Sequence, residues 1–341
     1  MADAASPKFW KWVGYTTAIL SLIAGVRQTV KLVTDRAETR HRSEALLASE
    51  QIQLRNQDFP QAWQTLEQAA KSDPDSPSLH RAQETLAMAW LENARAGENQ
   101  KFSAITEKVD PILTRGVTES KSPQHQADLL AHLGWSYFLR SRDGVFGTDP
   151  AATYADAITR DPVNPFAHAM WGHWLYWNHG DIKEANRHFA IAVSSGREKE
   201  FVRRFQLTAL LNSNSDDAAE EAVRVLNAMR MQKEPLPPES TRRQLFVSTY
   251  GRLIPGDAES PRFINAVPAA EHVLTFHWVF DTLPLADFEE LRRATELCLL
   301  QEAAGQREEA RAGFEAIRRQ LAGRTGSLLT TADAGLKRLA K

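Results

Sequence analysis

The chain has 341 residues, 43% hydrophobic and 25% charged, an ordinary balance for a folded protein and one that excludes global disorder. A net charge of −2, with acidic and basic residues interleaved, excludes a nucleic-acid binder working through a basic stripe that displaces counterions. The single cysteine, Cys298, excludes an intrachain disulfide and a cysteine-based zinc site, and is expected as a small apolar residue packed within a helix.

The first element spans residues 9–33, FWKWVGYTTAILSLIAGVRQTVKLV. Its uncharged run between Lys11 and Arg27 is shorter than the roughly 20 residues of a full membrane span. Lys11 and Arg27 can snorkel to lengthen it, and Trp10, Trp12 and Tyr15 cluster where rings prefer the headgroup layer. No cleavage site comes cleanly after it, so the segment reads as an uncleaved single-pass anchor, the alternative being a buried or interfacial first helix. Arg27, Lys31, Arg36, Arg40 and Arg42 outnumber Lys8 and Lys11, which places the bulk of the protein in the cytoplasm. Gly14 with Ala18, and Thr17 with Ser21 and Gly25, are spaced to let two anchors approach, so a homo-oligomer through this helix is a further option against chance spacing. No glycine or proline interrupts the stretch from Arg27 to Phe59, which allows the helix to continue past Leu46, Leu47 and Ile52.

Residues 34–234 carry helical punctuation and no strand period. Asp58-Phe59, Ala62-x3-Leu66-x2-Ala69 and Asp73-Pro74 come first, and residues 78–117 then show little internal similarity. Leu130-x2-Leu133-Gly134-x2-Tyr137 is next, with Tyr154, Ala157 and Asp161-Pro162 beyond the stretch Ser141-Arg-Asp-Gly-Val-Phe-Gly-Thr-Asp-Pro150. Trp171-Gly172, Gly180-Asp181 and Ala185-x3-Phe189-x2-Ala192 succeed it, and a weaker copy runs through Phe205–Leu211 to Ala222, Leu226 and Met229. Residues 235–284 hold seven prolines, Pro235, Pro237, Pro238, Pro255, Pro261, Pro268 and Pro284, which restrict helices to about 241–253 and 269–281. This irregular connector is expected to bury its own cluster of Phe246, Tyr250, Phe276, Trp278 and Phe280. Residues 285–341 resume with Gly305 and Ala310-x3-Phe314-x2-Ile317, and a short last helix is expected near 332–339.

These spacings resemble the tetratricopeptide repeat, a 34-residue helix pair with W-x2-L-G-x2-Y in its first helix and A-x3-F in its second. Small residues let the two helices close together, large ones fill the seam, and proline ends the second helix. The chain departs from the pattern in the turn around residues 141–150, which is about four residues longer than the family turn. The resemblance implies an all-α fold, a tetratricopeptide-like helical-hairpin solenoid, here preceded by a transmembrane helix.

Catalytic motifs are absent: there is no phosphate-binding glycine loop and no nucleophile elbow. His168, His173, His179 and His188 lack the helical spacing and carboxylates of a metal site, so no metal or cofactor is expected and the histidines read as packing or groove-lining residues. What remains is binding. In the family the first helices line a groove; carried over, the positions are Asp128, Ala131, Trp135 and Phe138 in one repeat and Phe166, Ala169, His173, Tyr176 and Trp177 in the next. Trp135, Phe138, His173, Tyr176 and Trp177 are the candidate peptide-binding residues, their rings favouring an apolar or extended peptide. Trp135, Trp171, Trp174 and Trp177 cannot all face one groove, and most are expected between helices. The expected function is a non-enzymatic, membrane-anchored scaffold recruiting a protein or peptide to the membrane through residues 9–33, with no nucleic acid. The alternatives are an outward-facing, periplasmic envelope-assembly or chaperone-associated module, and an enzyme using His272, His277 and Asp281.

Overall fold

The computed structural model describes residues 41–94, 101–213, 215–250 and 266–341. The anchor expected over residues 9–33 lies outside them. Among the described residues every regular element is helical, and no helix is long and apolar enough to cross a membrane. The chain divides into two compact units, Met1–Thr148 and Asp149–Lys341. That division falls inside the stretch 34–234, and the boundaries expected after 234 and 284 lie within the second unit.

In the first unit, α1 (residues 41–55) is followed by α2 (Phe59–Ser72), α3 (Pro77–Asn93), α4 (Phe102–Glu119) and α5 (Pro123–Arg142). Local chemistry sets the starts. Asp58 accepts from the Gln61 amide ahead of α2 and Ser122 from that of His125 ahead of α5, each with a proline in the first turn, where a missing N–H costs nothing. Helix α4 carries Pro111 in its interior on the exposed side, which helps explain why residues 78–117 looked unlike a repeat. Its neighbours hold it regardless: Gly116 lies so close to Glu84 of α3 and Leu129 of α5 that a methyl group there would overlap both. Asp110 of α4 accepts from Ser136 of α5 and pairs with Arg140, and burial still raises its carboxyl above the usual range. Helices α3, α4 and α5 each touch the other two, as in stacked hairpins.

The second unit contains α6 (Pro150–Arg160), α7 (Pro165–His179), α8 (Ile182–Ser194), α9 (Lys199–Leu211), α10 (Asp216–Met231) and α11 (Glu239–Leu245), the last running into a π-helical turn, Phe246–Tyr250. Then come α12 (Ala269–Phe280), α13 (Asp287–Ala303), α14 (Arg307–Gln320) and α15 (Ser327–Leu339). Helix α7 packs on α8 and again on α9, and α13 does the same with α14 and α15. The seam of the α7–α8 hairpin joins the residues that the spacing singled out. A Cβ on Gly172 would stand 3.0 Å from the Ala185 carbonyl oxygen and 3.1 Å from the Phe189 ring, so glycine sets how closely the helices approach.

The same hairpin buries a histidine pair that lies 20 residues apart in sequence, with Nδ1 of His168 2.8 Å from Nδ1 of His188. The Pro162 carbonyl can only accept, so His168 Nε2–H donates to it at 2.9 Å; with neutral His168, its Nδ1 then accepts from His188 Nδ1–H. Burial, then the charges of His168 and Arg187, lower the His188 pKa to about 4. The unfolded chain therefore takes up a proton near pH 6.5 that the folded hairpin refuses until about pH 4. This contribution is complete above pH 6.5 and is lost as pH falls toward 4, on the order of 3 kcal/mol in all. His188→Asn should flatten the pH dependence between those limits in urea unfolding followed by circular dichroism. A mutant curve parallel to wild type would contradict the assignment. Glu296, whose pKa burial raises to about 7, acts with the opposite sign, losing stability as pH rises from 4.5 through 7, so the wild-type-minus-mutant difference is the quantity to read.

The proline-rich stretch joins its neighbours through polar ties. Arg230 of α10 pairs with Glu271 of α12, Thr275 donates to Asn227 at 3.0 Å, and Arg242 of α11 donates to the Val279 carbonyl at 3.0 Å. Phe246, Tyr250, Phe276 and Phe280 form the expected cluster, with ring centroids 4.9–5.5 Å apart. Trp278, expected among them, is only partly buried, and His272 packs on Tyr250 instead. The last helix starts at Ser327, earlier than the expected 332, because Leu328 and Leu329 pack against the buried cluster of α13–α15 and hold an extra turn. Cys298 is buried in that cluster, its thiol pushed up to about 12 by desolvation.

Candidate peptide-binding face

The expected site residues lie in two different units. Trp135 and Phe138 sit on α5 in the first, with ring centroids 5.0 Å apart and both side chains buried. The Trp135 indole N–H donates to the Leu91 carbonyl at 3.2 Å, tying α5 to the end of α3. Its position is that of a helix-to-helix tie.

His173, Tyr176 and Trp177 sit on α7 in the second unit. That helix is set by Asn164, whose side chain accepts from the Ala167 amide at 2.9 Å, by Pro165 in the first turn, and by Gly180 at φ +62°, which reverses the chain. Tyr176 is buried, and its hydroxyl titrates well above the usual range through burial and the charges of Glu221 and Asp217 on α10. His173 is 4% exposed, stacks on Trp177 at 6.5 Å between centroids and meets Phe205 edge-on at 5.7 Å. Its Nδ1 lies 3.3 Å from the Phe205 carbonyl oxygen and donates to it. Trp177 is 40% exposed and is the member of the set that presents a large apolar surface to solvent.

Beside these residues α9 supplies partners that the sequence pattern did not assign to the site. Phe166 meets Phe201 at 4.9 Å, Phe201 meets Phe205 at 4.3 Å, and the Arg204 guanidinium lies 5.7 Å and 5.8 Å from those two rings. The result is a continuous aromatic seam along α7 and α9, edged by Trp177 and covered in part by a cation. The i, i+4 pair Phe201 and Phe205 was a readable signal of an aromatic helix face. Its pairing with α7 was not readable, because that contact spans some thirty residues and depends on how the hairpins stack.

On its other side α9 borders a cavity of about 210 Å³, closed by the end of α10, the segment 234–238 and the start of α11. Leu207, Met229, Leu236 and Pro237 supply apolar walls, and Lys199 and Arg204 stand at the rim. Arg203 and Glu234 also line it as an ion pair, each side chain 8% exposed, with Nε to Oε2 3.1 Å and Nη2 to Oε1 3.3 Å. Gln206 Oε1 accepts from an Nη1–H at 3.2 Å. The pair is internally neutralised.

The residues of the enzyme alternative do not converge. His272 is buried against Tyr250, its pKa lowered to about 4 by desolvation, whereas His277 and Asp281 form a surface pair 3.1 Å apart along α12. Among the described residues no group of three or more histidine, cysteine or acidic side chains is placed to hold a metal ion.

No family model matches the chain, and no curated protein matches it in sequence. Among solved structures, a tetratricopeptide repeat protein from Parabacteroides merdae superposes with a TM-score of 0.39 at 12% identity, covering 88% of this chain and all of that one. The helical-hairpin architecture rests on this chain's own packing.

Proposed function

We propose that the protein is a tetratricopeptide-like scaffold that binds a protein or peptide partner on the α7–α9 face, with residues 9–33 tethering it to a membrane and the repeats on the cytoplasmic side. The observation that carries the binding reading is Trp177, a large ring left 40% exposed yet stacked on a buried histidine, the arrangement of an interface anchor held ready before contact. The rings around it give an extended peptide apolar contact. The tether rests on the aromatic and basic flanks of residues 9–33 and on the basic excess immediately C-terminal to them.

Trp177→Ala should weaken partner capture at least tenfold; because the ring is more than half buried and stacked on His173, the thermal unfolding midpoint should also fall by several degrees, and capture is compared at a temperature where both proteins are folded. The variant is a cleaner probe than Trp135→Ala, which would loosen α5 from α3. Retention of every captured partner by Trp177→Ala would remove this face from consideration. The tether is tested separately by fractionation with and without residues 1–33, where full-length protein that stays in solution without detergent would overturn it. A reporter fused after Lys341 that works only outside the cytoplasm would reverse the orientation.

A further inference from the structure

The long turn after α5 closes the first compact unit, which ends at Thr148. Residues 144–149 of this turn are all exposed. Among the described residues, none makes a hydrogen bond to the backbone of Phe146, Gly147 or Thr148. Three aromatic side chains are exposed there: Phe146 at 82%, Phe288 at 65% and Trp177 at 40%. Phe288 lies in α13 and Trp177 in α7, where the backbone is held in a helix. A protease takes its substrate as an extended strand, so either helix would have to unwind before it could be cut. Phe146 stands on an open turn of the kind where nicking concentrates. The start of the turn is braced, with Asp143 accepting from the Ser103 amide at 2.7 Å and the Val145 amide donating to the Arg140 carbonyl at 3.3 Å. Gly144, at φ +79°, can swing to an extended conformation with no side chain to hinder it, so residues 144–149 can straighten while α5 keeps its end.

We infer that the Phe146–Gly147 bond is a cleavage site for an endopeptidase that selects an aromatic side chain, and that the cut releases residues 147–341 from the membrane. The release rests on the tether proposed above; the cleavage site does not. The phenyl ring supplies the apolar group that such an enzyme's specificity slot accepts, and Gly147 puts no side chain on the far side of the bond. Water is the co-reactant. The C–N bond breaks, the Phe146 carbonyl carbon gains an oxygen to become a carboxylate, and the Gly147 nitrogen takes a proton to become a new terminal amine. Each fragment keeps buried side chains of its own unit, Leu79, Leu86 and Leu113 in the first and Phe189, Phe276 and Phe314 in the second. With residues 9–33 holding the first fragment, the α7–α9 face leaves with the second.

The test is limited proteolysis of the full chain in mild detergent with chymotrypsin, followed by intact-mass measurement over time. Among the described residues, the first cut should fall after Phe146. Phe146→Ala should slow cleavage of this bond at least about tenfold, whereas Phe146→Tyr, which keeps a ring, should stay near the wild-type rate. Circular dichroism checks that both variants are folded, as expected for a side chain 82% exposed. A first cut in α7, in α13 or elsewhere among these residues, or an alanine variant cut here at the wild-type rate, overturns the site. Release is read on membranes sheared open so that both faces are accessible, where cleavage should move the 147–341 fragment from pellet to supernatant. A fragment that stays in the pellet after the cut overturns the release. Uncut protein found in the supernatant would remove the tether and with it the release, while the mass measurement alone decides the cleavage site.

Discussion

Replacing Glu234 with alanine is expected to lower the unfolding free energy of the second unit by about 3–5 kcal/mol, the usual penalty for stranding a buried charge. The buried guanidinium of Arg203 would lose both hydrogen bonds to carboxylate oxygens. Gln206 can take only one of its N–H groups. Position 234 also matters for the chain path. It comes after Lys233, a non-glycine residue at φ +56°, and precedes Pro235, where the backbone leaves α10 and turns along α9. The ion pair thus clamps the proline-rich segment onto α9 and shapes the wall of the cavity. The double replacement Arg203→Met with Glu234→Leu should recover most of the lost stability, because a well-packed apolar pair is often no worse than a buried salt bridge. Arg203→Lys should not, since an ammonium cannot span both carboxylate oxygens with the same geometry. Urea unfolding of the four proteins checks the set. A single Glu234→Ala change costing under about 1 kcal/mol would mean that water reaches the guanidinium and that the clamp is weak.

Phe314→Ala should cost a comparable amount, about 3–5 kcal/mol, for a reason that involves no charge. The ring is fully buried among Cys298, Ala310, Ile317 and Ala332, where α13, α14 and α15 converge. It lies flush against the backbone of Gly335, where a methyl group would overlap three ring atoms. The bare backbone of Gly335 cannot move into the space once the ring is gone, and the leucines packed at the edge of the cluster, Leu328, Leu329 and Leu336, can fill only part of it, so the cavity term should be large. Phe314→Leu should cost roughly half as much. The reciprocal change, Gly335→Ala, gains about 1 kcal/mol of helix propensity and loses about 1–3 kcal/mol to overpacking, a net destabilisation. Hydrogen exchange on Phe314→Ala should show lost protection across Asp287–Leu339, and protection lost elsewhere instead would place the ring outside the local cooperative unit.

How much of the fold was readable from the sequence depends on the range of the interaction. The A-x3-F spacings at Ala185–Phe189 and Ala310–Phe314 located second helices correctly, because i, i+4 residues share a helix face whatever the rest of the fold does. Gly172 was legible as a close-approach residue for the same reason, and the structure sets it on Ala185 and Phe189. Asp149-Pro150 and Asn164-Pro165 open helices, but Asp73-Pro74 and Asp161-Pro162 follow helix ends and Asp110-Pro111 lies inside α4, so the same dipeptide marks a start only in its wider context. The α3–α4 region was harder, since Pro111 speaks locally against a helix that tertiary packing on Glu84 and Leu129 maintains.

The candidate face shows the other side of that division. Composition and spacing by themselves determined an all-helical chain of hairpins, where many helices begin and end, and a concentration of aromatics on α7, because each is a property of residues within one or two turns of each other. The tertiary structure decided which of those aromatics are inside. It buried Trp135, Phe138, His173 and Tyr176, left Trp177 at the surface, and brought Phe201, Phe205 and Arg204 alongside. It also paired His168 with His188 and Arg203 with Glu234. Those pairings join residues 20 and 31 positions apart. No local period encodes such separations; they arise from the angle and offset at which one hairpin packs on the next, which depend on side chains from several helices at once.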